Sequence, residues 1–272
     1  MAVMCKVLQV TRSGYYAWRE RLICARVMRR RELEVKIKQV HEHSRRTYGS
    51  PRMTVDLNQA GLEVSENTVA KYMRECGVFV RPSRRFVPQT TDSAHPHPIA
   101  PNLLGQDFAA SAPNQKWACD LTYLWTNQGW LYLSVVLDCF SRKVIGWSMT
   151  HHLRSRGVAA ALEMALKRRR PDGGLIHHSD RGVQYACGSY RQVLADHQIA
   201  VSMSRRGNCY DNAIVESFFA TLKSELVHGR CFATRAAARA CVFEWIECWY
   251  NRRRRHSSLG YLSPEAFEAQ NN

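Results

Sequence analysis

Asp120 in "KWACDLTYL", Asp180 at the end of "GLIHHSD" and Glu216 in "DNAIVESFFATLKSEL" have the chemistry to hold hard divalent cations. Metal-assisted phosphoryl transfer on nucleic acid needs carboxylates, because Mg2+ takes oxygen ligands and two such ions close together have to be neutralised jointly. Period-two alternation places Asp120 mid-strand, sharing a face with Ala118 and Thr122 and opposite Trp117, Cys119 and Leu121. A charge there is costly if buried unpaired, so it invites an explanation. Asp180 closes a short apolar strand, at the carboxyl end where α/β sheets place their ligands. Taken singly, each reads equally well as a capping or edge aspartate.

A third ligand has to come from the helix over 211–226. At about 100° per residue, Val215, Phe218, Phe219, Leu222 and Leu226 form one apolar stripe that faces the sheet. Glu216 flanks that stripe, with Asn212, Ala220 and Lys223 on its own side. Glu225 is nine residues further on, about 180° round the wheel, so the two glutamates cannot serve one site. The wheel selects Glu216 if the core holds a metal, without saying that it does. Glu225 is left as a surface charge, whose change to glutamine is expected to cost little. Lys223, two turns after Glu216, puts an ammonium where a phosphate beside the metals would lie; a solvated helix lysine is the alternative.

The remaining titratable groups read as structural. Asp138 suits a turn cap and Asp211 the N-cap of the 212 helix. His177 and His178 point to opposite faces of their strand, so at most one faces the site, as a supporting donor or simply as a packed histidine. His95 and His97 sit among prolines with no cysteine pair nearby and read as exposed.

These residues need a scaffold, and the pattern supplies one. "KWACDLTYLW", "WLYLSVVLD" and "KVIGWSM" make an antiparallel meander over 116–149, with "NQG" as its first turn. Helix and strand then alternate through "SRGVAAALEMALKRRR", "GGLIHHSD", "CGSYRQVLADHQ", "IAVSMS" and the 212–227 helix, and a last helical stretch covers about 234–254. Three antiparallel strands followed by two in helical crossovers is the element order of the ribonuclease H-like α/β fold. Upstream, Thr11 caps a helix, a charged helix spans about 24–43, and two helices meet around Gly61 with Ser65 as the second N-cap. That last unit, 51–77, has a helix-turn-helix pattern that a plain helical hairpin would share.

The expected organisation is a helical DNA-binding region over 1–92, a linker over 93–113 and an α/β core with a helical extension over 114–272. The linker lies within 81–115, a stretch with six prolines and little periodicity. With 39 Lys and Arg against 23 Asp and Glu, the net charge is +16 and the pI about 9.7, which points to a polyanionic partner. The excess is shared, +9 over 1–92 and +7 over the rest, so no single basic tail explains it. No apolar run suggests a membrane span and no signal peptide is evident, which makes cytoplasm the default. Ten scattered cysteines without a C-x-x-C pair favour reduced thiols over a disulfide framework or a zinc site.

The order Asp120, Asp180, Glu216, with 35 residues between the last two, resembles the DDE group of retroviral-type integrases and insertion-sequence transposases. "WACDLTYL", "HHSDRGVQYA", "SRRGNCYDNAIVESFFATLKSEL" and "NRRRRHSSLGYLSPEAFE" look like the second-reading-frame catalytic protein of the IS-three family, and "LQVTRSGYYAW" and "RTYGSPRMTVDLNQAG" extend the likeness towards the N-terminus. The resemblance implies a ribonuclease H-like integrase core in which the triad binds Mg2+ or Mn2+, two ions per site. It further implies that an activated water, and then a DNA 3′-hydroxyl, attacks phosphodiester bonds without a covalent enzyme intermediate. Lys223 matches a basic residue that contacts DNA ends in related integrases, and Arg205, Arg206, Arg52 and Lys71 are further candidate DNA contacts. The implied partners are double-stranded DNA, as element terminal repeats and as target, a homo-oligomer on that DNA, and an upstream-frame helix-turn-helix protein. A bacterial, nucleoid-associated location goes with these. Rival readings are a non-catalytic DNA-binding regulator and a nuclease of the same fold without joining activity.

Overall fold

The computed structural model describes residues 1–21, 23–80 and 96–271, and the chain divides into two compact units, Met1–Arg81 and Pro82–Asn272. His95 and the part of the proline-rich stretch up to that residue lie outside the described residues.

The first unit is helical: α1 (Ala2–Val7), α2 (Arg12–Arg19), α3 (Ala25–His43), α4 (Ser50–Gln59) and α5 (Glu66–Glu75). Thr11 Oγ1 accepts the Gly14 N–H at 3.0 Å and starts α2, and Ser65 Oγ accepts the Thr68 N–H at 3.3 Å and starts α5. Between α4 and α5 the chain reverses at Gly61, whose φ of 84° a side chain would strain, and Asn58 Oδ1 holds the turn by accepting the Val64 N–H at 2.9 Å. Leu33 and Ile37 of α3, Met53 and Leu57 of α4, Val69 and Met73 of α5, and Val78 close one core around this pair of helices.

The second unit is built on a five-stranded sheet in the order β3-β2-β1-β4-β5. β1 (Lys116–Thr126), β2 (Gly129–Asp138) and β3 (Val144–Thr150) are antiparallel; β4 (Ile176–Ser179) and β5 (Ala200–Met203) add in parallel to β1. α6 (Ser155–Arg169) covers one face, followed by α7 (Val183–Ala186) and α8 (Gly188–Asp196). The core there runs from Trp117, Cys119 and Val136 to Val158, Leu162, Tyr190 and Leu194. α6 lies close against β3 because Gly146 has no side chain: a Cβ there would stand 2.1 Å from the Ala161 carbonyl oxygen.

The helix α9 (Ala213–Leu222) packs on β1, and continues as a π-helical turn over Lys223–Val227. Val215, Phe218, Phe219, Leu222 and Leu226 are all buried, so the apolar stripe lies where the wheel places it. Its far side is covered as well. α10 (Arg235–Glu244) runs into a second π-helical segment, Trp245–Tyr250, and the Trp245 and Tyr250 rings meet Phe218 with centroids at 5.8 and 4.8 Å. The chain then closes with α11 (Pro264–Asn271), and Glu268 is buried on Arg169, Lys143 and Ser141. Just beyond the second π segment, Asn251 brackets β3: its amide Nδ2 donates to the Val144 carbonyl at 2.9 Å and its Oδ1 accepts the Val144 N–H at 3.0 Å.

In the described part of the 93–113 stretch, Leu104 is buried, Leu103 N–H donates to Ser202 Oγ at 2.9 Å, and Gln106 Nε2 donates to Asp211 Oδ1 at 3.1 Å. Low periodicity reports the lack of a regular element, not the lack of contacts. Glu225 is no surface charge, because the C-terminal helices place Arg254 and Trp249 over it. No disulfide forms among the described cysteines, and none of the described helices is long and apolar enough to cross a membrane.

Candidate active site

Asp120 and Asp180 meet because β4 stops short. β1 pairs with β4 only through Lys116↔Ile176, Trp117↔His177 and Ala118↔His178. Each aspartate follows its last paired neighbour by two residues, Asp120 after Ala118 and Asp180 after His178, and so lies on the same face at the same level. Beyond this point, among the described residues, the β4-side edge of β1 is met only by the isolated bridge Thr126↔Phe232. Asp120 Oδ1 accepts the Leu121 N–H at 2.7 Å and Asp180 Oδ1 accepts the Gly182 N–H at 2.9 Å, which fixes one oxygen of each carboxylate.

The third carboxylate arrives on α9. Asn212, at the start of that helix, donates its amide to the Cys119 carbonyl at 3.3 Å, tying the helix to the strand one residue before Asp120. Glu216 follows one turn later, half-buried and with no hydrogen bond or ion pair among the described residues. Burial and the negative charges of Asp180 and Glu216 raise the Asp120 carboxyl well above the usual carboxylate range. Burial likewise raises Glu216. The Lys223 ammonium lies within the field of Asp120 and is itself lowered by burial; its Nζ stands 5.4 Å from the centre of the Tyr123 ring.

The histidines divide as the strand alternation requires. His178, on the face of Asp120, has Nδ1 2.8 Å from Ser202 Oγ and Nε2 3.1 Å from Ser204 Oγ, which pins β4 to β5 next to Asp180. His177 faces the other way, its Nε2 2.9 Å from Cys119 Sγ and 2.8 Å from Tyr190 Oη. Burial holds both neutral, pushing His177 down to about 3 and His178 to about 4. His97 is half-buried and has interactions of its own, contrary to the exposed reading.

Asp211 is not the N-cap expected of it. That position belongs to Asn212, and Asp211 sits in the 3-10 turn Cys209–Asn212 just before α9. Fully buried, its carboxylate accepts the Arg205 backbone N–H at 2.7 Å, Arg205 Nε at 3.0 Å, Arg205 Nη2 at 2.9 Å and Gln106 Nε2 at 3.1 Å. The Arg205 hydrogen bonds hold it far below the usual carboxylate range. A wheel cannot foresee this, because Gln106 lies 105 residues away. The same pair changes the standing of Arg205, which is exposed but has its guanidinium tied to Asp211, while Arg206 is exposed as well. Asp138 does cap its turn, accepting the Phe140 and Asn114 N–H groups at 3.0 Å each. In the helical unit, Lys71 is exposed on α5, 3.9 Å from Glu75, and Arg52 on α4 lies over the Tyr48 ring at 5.7 Å.

The donor set suits a hard divalent cation. Asp180 and Glu216 raise the cost of ionising Asp120, the Lys223 ammonium offsets it, and among the described residues the imidazole on that face, His178, is engaged by Ser202 and Ser204. Among the described residues, no three His, Cys, Asp or Glu side chains are drawn into a closed metal cage.

An integrase core domain model matches residues 110–209, a second integrase core domain model matches 197–264, and an HTH-like domain model matches 28–86. The chain is 48% identical over 270 residues to the transposase InsF for insertion sequence IS3A of Escherichia coli strain K12, which covers 98% of this chain and 93% of that one. It is 43% identical over 264 residues to a 31 kDa protein of insertion element IS600 from Shigella sonnei, covering 97% of each. Among solved structures, a chain of the simian T-cell lymphotropic virus intasome in complex with PP2A regulatory subunit B56 gamma is 14% identical, with a TM-score of 0.49 over 85% of this chain and 74% of that one. The HTLV-2 integrase catalytic core domain in complex with magnesium is 16% identical, with a TM-score of 0.44 over 58% of this chain and 97% of that one.

Proposed function

Because the chain belongs to the family of insertion-sequence transposases that includes InsF, with an integrase core and an HTH-like domain, we propose that Asp120, Asp180 and Glu216 are its metal-binding catalytic residues. Its class is polynucleotidyl transfer in DNA transposition; the finer reading is cleavage of element ends and joining of the freed strand to target DNA. The observation that carries the assignment is geometric: Asp120 and Asp180 each lie two residues beyond the paired Ala118 and His178, and Asn212 ties the helix bearing Glu216 to the Cys119 carbonyl.

The three carboxylates would hold Mg2+ or Mn2+, two ions per site, and such ions supply Lewis acidity at the phosphate and lower the pKa of the attacking hydroxyl. The chain's own residues do the rest. Hydrogen bonds from Leu121 and Gly182 orient the two aspartates, and the Asn212 amide holds the helix that brings Glu216. Lys223 offers its ammonium to a phosphate beside the carboxylates, and exposed Arg206 a second contact near the start of α9. In the helical unit, Arg52 and Lys71 would contact DNA phosphates.

The test is a pair of assays on DNA carrying the element ends: metal-dependent nicking, and joining of a precut end. Both are expected with Mg2+ and neither with a chelator. Nicking without joining would make the protein a nuclease, and tight binding indifferent to Mg2+ without nicking would make it a regulator.

A further inference from the structure

The β1–β2 hairpin carries three large aromatic side chains into water: Tyr123 is 38% exposed, Trp125 55% and Trp130 43%. The strand register pairs Trp125 with Trp130 and Tyr123 with Tyr132, so all of them lie on one face. The rings meet edge to face, with centroids 4.8 Å apart for Trp125 and Trp130 and 5.0 Å for Tyr123 and Trp130. A contiguous exposed patch of this kind marks a binding surface.

The patch is held rigidly. Asn127 N–H donates to the Phe232 carbonyl at 2.9 Å, the Arg235 N–H donates to Gln128 Oε1 at 3.0 Å, and Arg235 Nε donates to the Trp130 carbonyl at 3.1 Å. The hairpin backbone that carries the rings is therefore held before any ligand arrives, which lowers the ordering cost of binding.

Charge decides what fits. Lys223 stands over the Tyr123 ring and Arg235 lies under the hairpin turn, so cations border the aromatic surface. A second copy docking through this face would bring Lys223 and Arg235 against their own counterparts in a chain of net charge +16. A nucleic-acid strand has the opposite requirements, π faces for stacking and phosphates for the cations. Lys223 follows directly on α9, seven residues after Glu216, so one ammonium stands between the rings and the helix that carries that carboxylate.

We propose that Tyr123, Trp125 and Trp130, which project from the sheet face opposite Asp120, form a stacking site for unpaired DNA bases, with Lys223 at the Tyr123 ring holding a phosphate of the same strand. The site would take a frayed or single-stranded end in preference to a blunt duplex. The proposal goes beyond the catalytic assignment, and its test is made in chelator, so that failure of either reading leaves the other standing.

Binding of the full chain to a labelled random-sequence duplex is followed by fluorescence anisotropy, with blunt ends and with short unpaired 3′ tails. The wild type is expected to bind the tailed duplex about tenfold more tightly. Trp125→Leu with Trp130→Leu should bring that ratio to near one while leaving blunt-end affinity and thermal midpoint unchanged. A fluorescent purine analogue in the tail should be quenched by the wild type, a readout that holds even if the double variant fails to fold. Equal affinity of the wild type for both duplexes, an unquenched analogue, or a tail preference that survives the double substitution would overturn the proposal. So would loss of a dimer in sedimentation with the tail preference intact, which would assign the surface to self-association.

Discussion

Glu225 and Arg254 form a buried ion pair, with Arg254 Nε donating to Glu225 Oε1 at 2.8 Å and both side chains only 6% exposed. Trp249 Nε1 donates to the other carboxylate oxygen at 3.2 Å. Removing one partner strands the other charge in the interior, so Glu225→Gln should cost about 3 kcal/mol in urea unfolding. Glu225→Leu combined with Arg254→Met should recover much of the loss, since neither charge is then buried. A single glutamine variant as stable as the wild type would show that water reaches the pair.

Asp120→Asn, Asp180→Asn and Glu216→Gln should each reduce nicking and joining to background, with DNA affinity changed no more than a few-fold. A readout independent of activity accompanies them. Because ionised Asp120 is opposed by burial and by two neighbouring carboxylates, Asp120→Asn should melt at a higher temperature than the wild type in chelator. Mg2+ should raise the wild-type midpoint and leave that of the variant where it was. Strand joining retained by any of the three would remove that residue from the catalytic set.

Acid should weaken the fold early. The unfolded chain protonates its histidines near pH 6.5, whereas His178 in the folded state stays neutral down to about pH 4 and His177 to about pH 3. Their contribution is complete above the unfolded value and is lost as the pH falls from there towards the folded values. Urea midpoints measured from above pH 6.5 down to about pH 4 should therefore decline steadily, and His178→Asn should flatten part of the slope. A midpoint constant across that window would mean that both rings take up protons without leaving their partners.

Gly146→Ala is expected to destabilise by about 3 kcal/mol, an overpacking cost. The new Cβ would stand 2.1 Å from the Ala161 carbonyl oxygen and 2.8 Å from the Ala165 nitrogen, both of them helix backbone that cannot rotate away. Calorimetry on the variant decides this, and an unchanged midpoint would mean that α6 rides away from β3 at little cost.

The sheet and its helices were legible because period-two and 3.6-residue repeats are local: the meander over 116–149 and the stripe from Val215 to Leu226 needed no partner to be recognised. The same wheel separated Glu216 from Glu225 by rotation alone. It was silent on what lies beyond the helix, and so left Glu225 to solvent when Arg254, 29 residues later, covers it. Asp211 failed for a like reason, since Gln106 is far away in sequence and Arg205 is brought to it by the turn. The exposed Tyr123, Trp125 and Trp130 gave no signal either: alternating aromatics look alike whether a strand's end is covered or bare.

Asn251 has a role that only becomes visible at the level of many molecules. β3 is an outer strand of the sheet, and an outer strand with unpaired backbone groups invites another chain to add itself. By taking both the N–H and the carbonyl of Val144, one side-chain amide stands in for the missing neighbour at that rung. The margin of the sheet is thereby closed to an added strand at this rung, and solubility at high concentration rests in part on one asparagine.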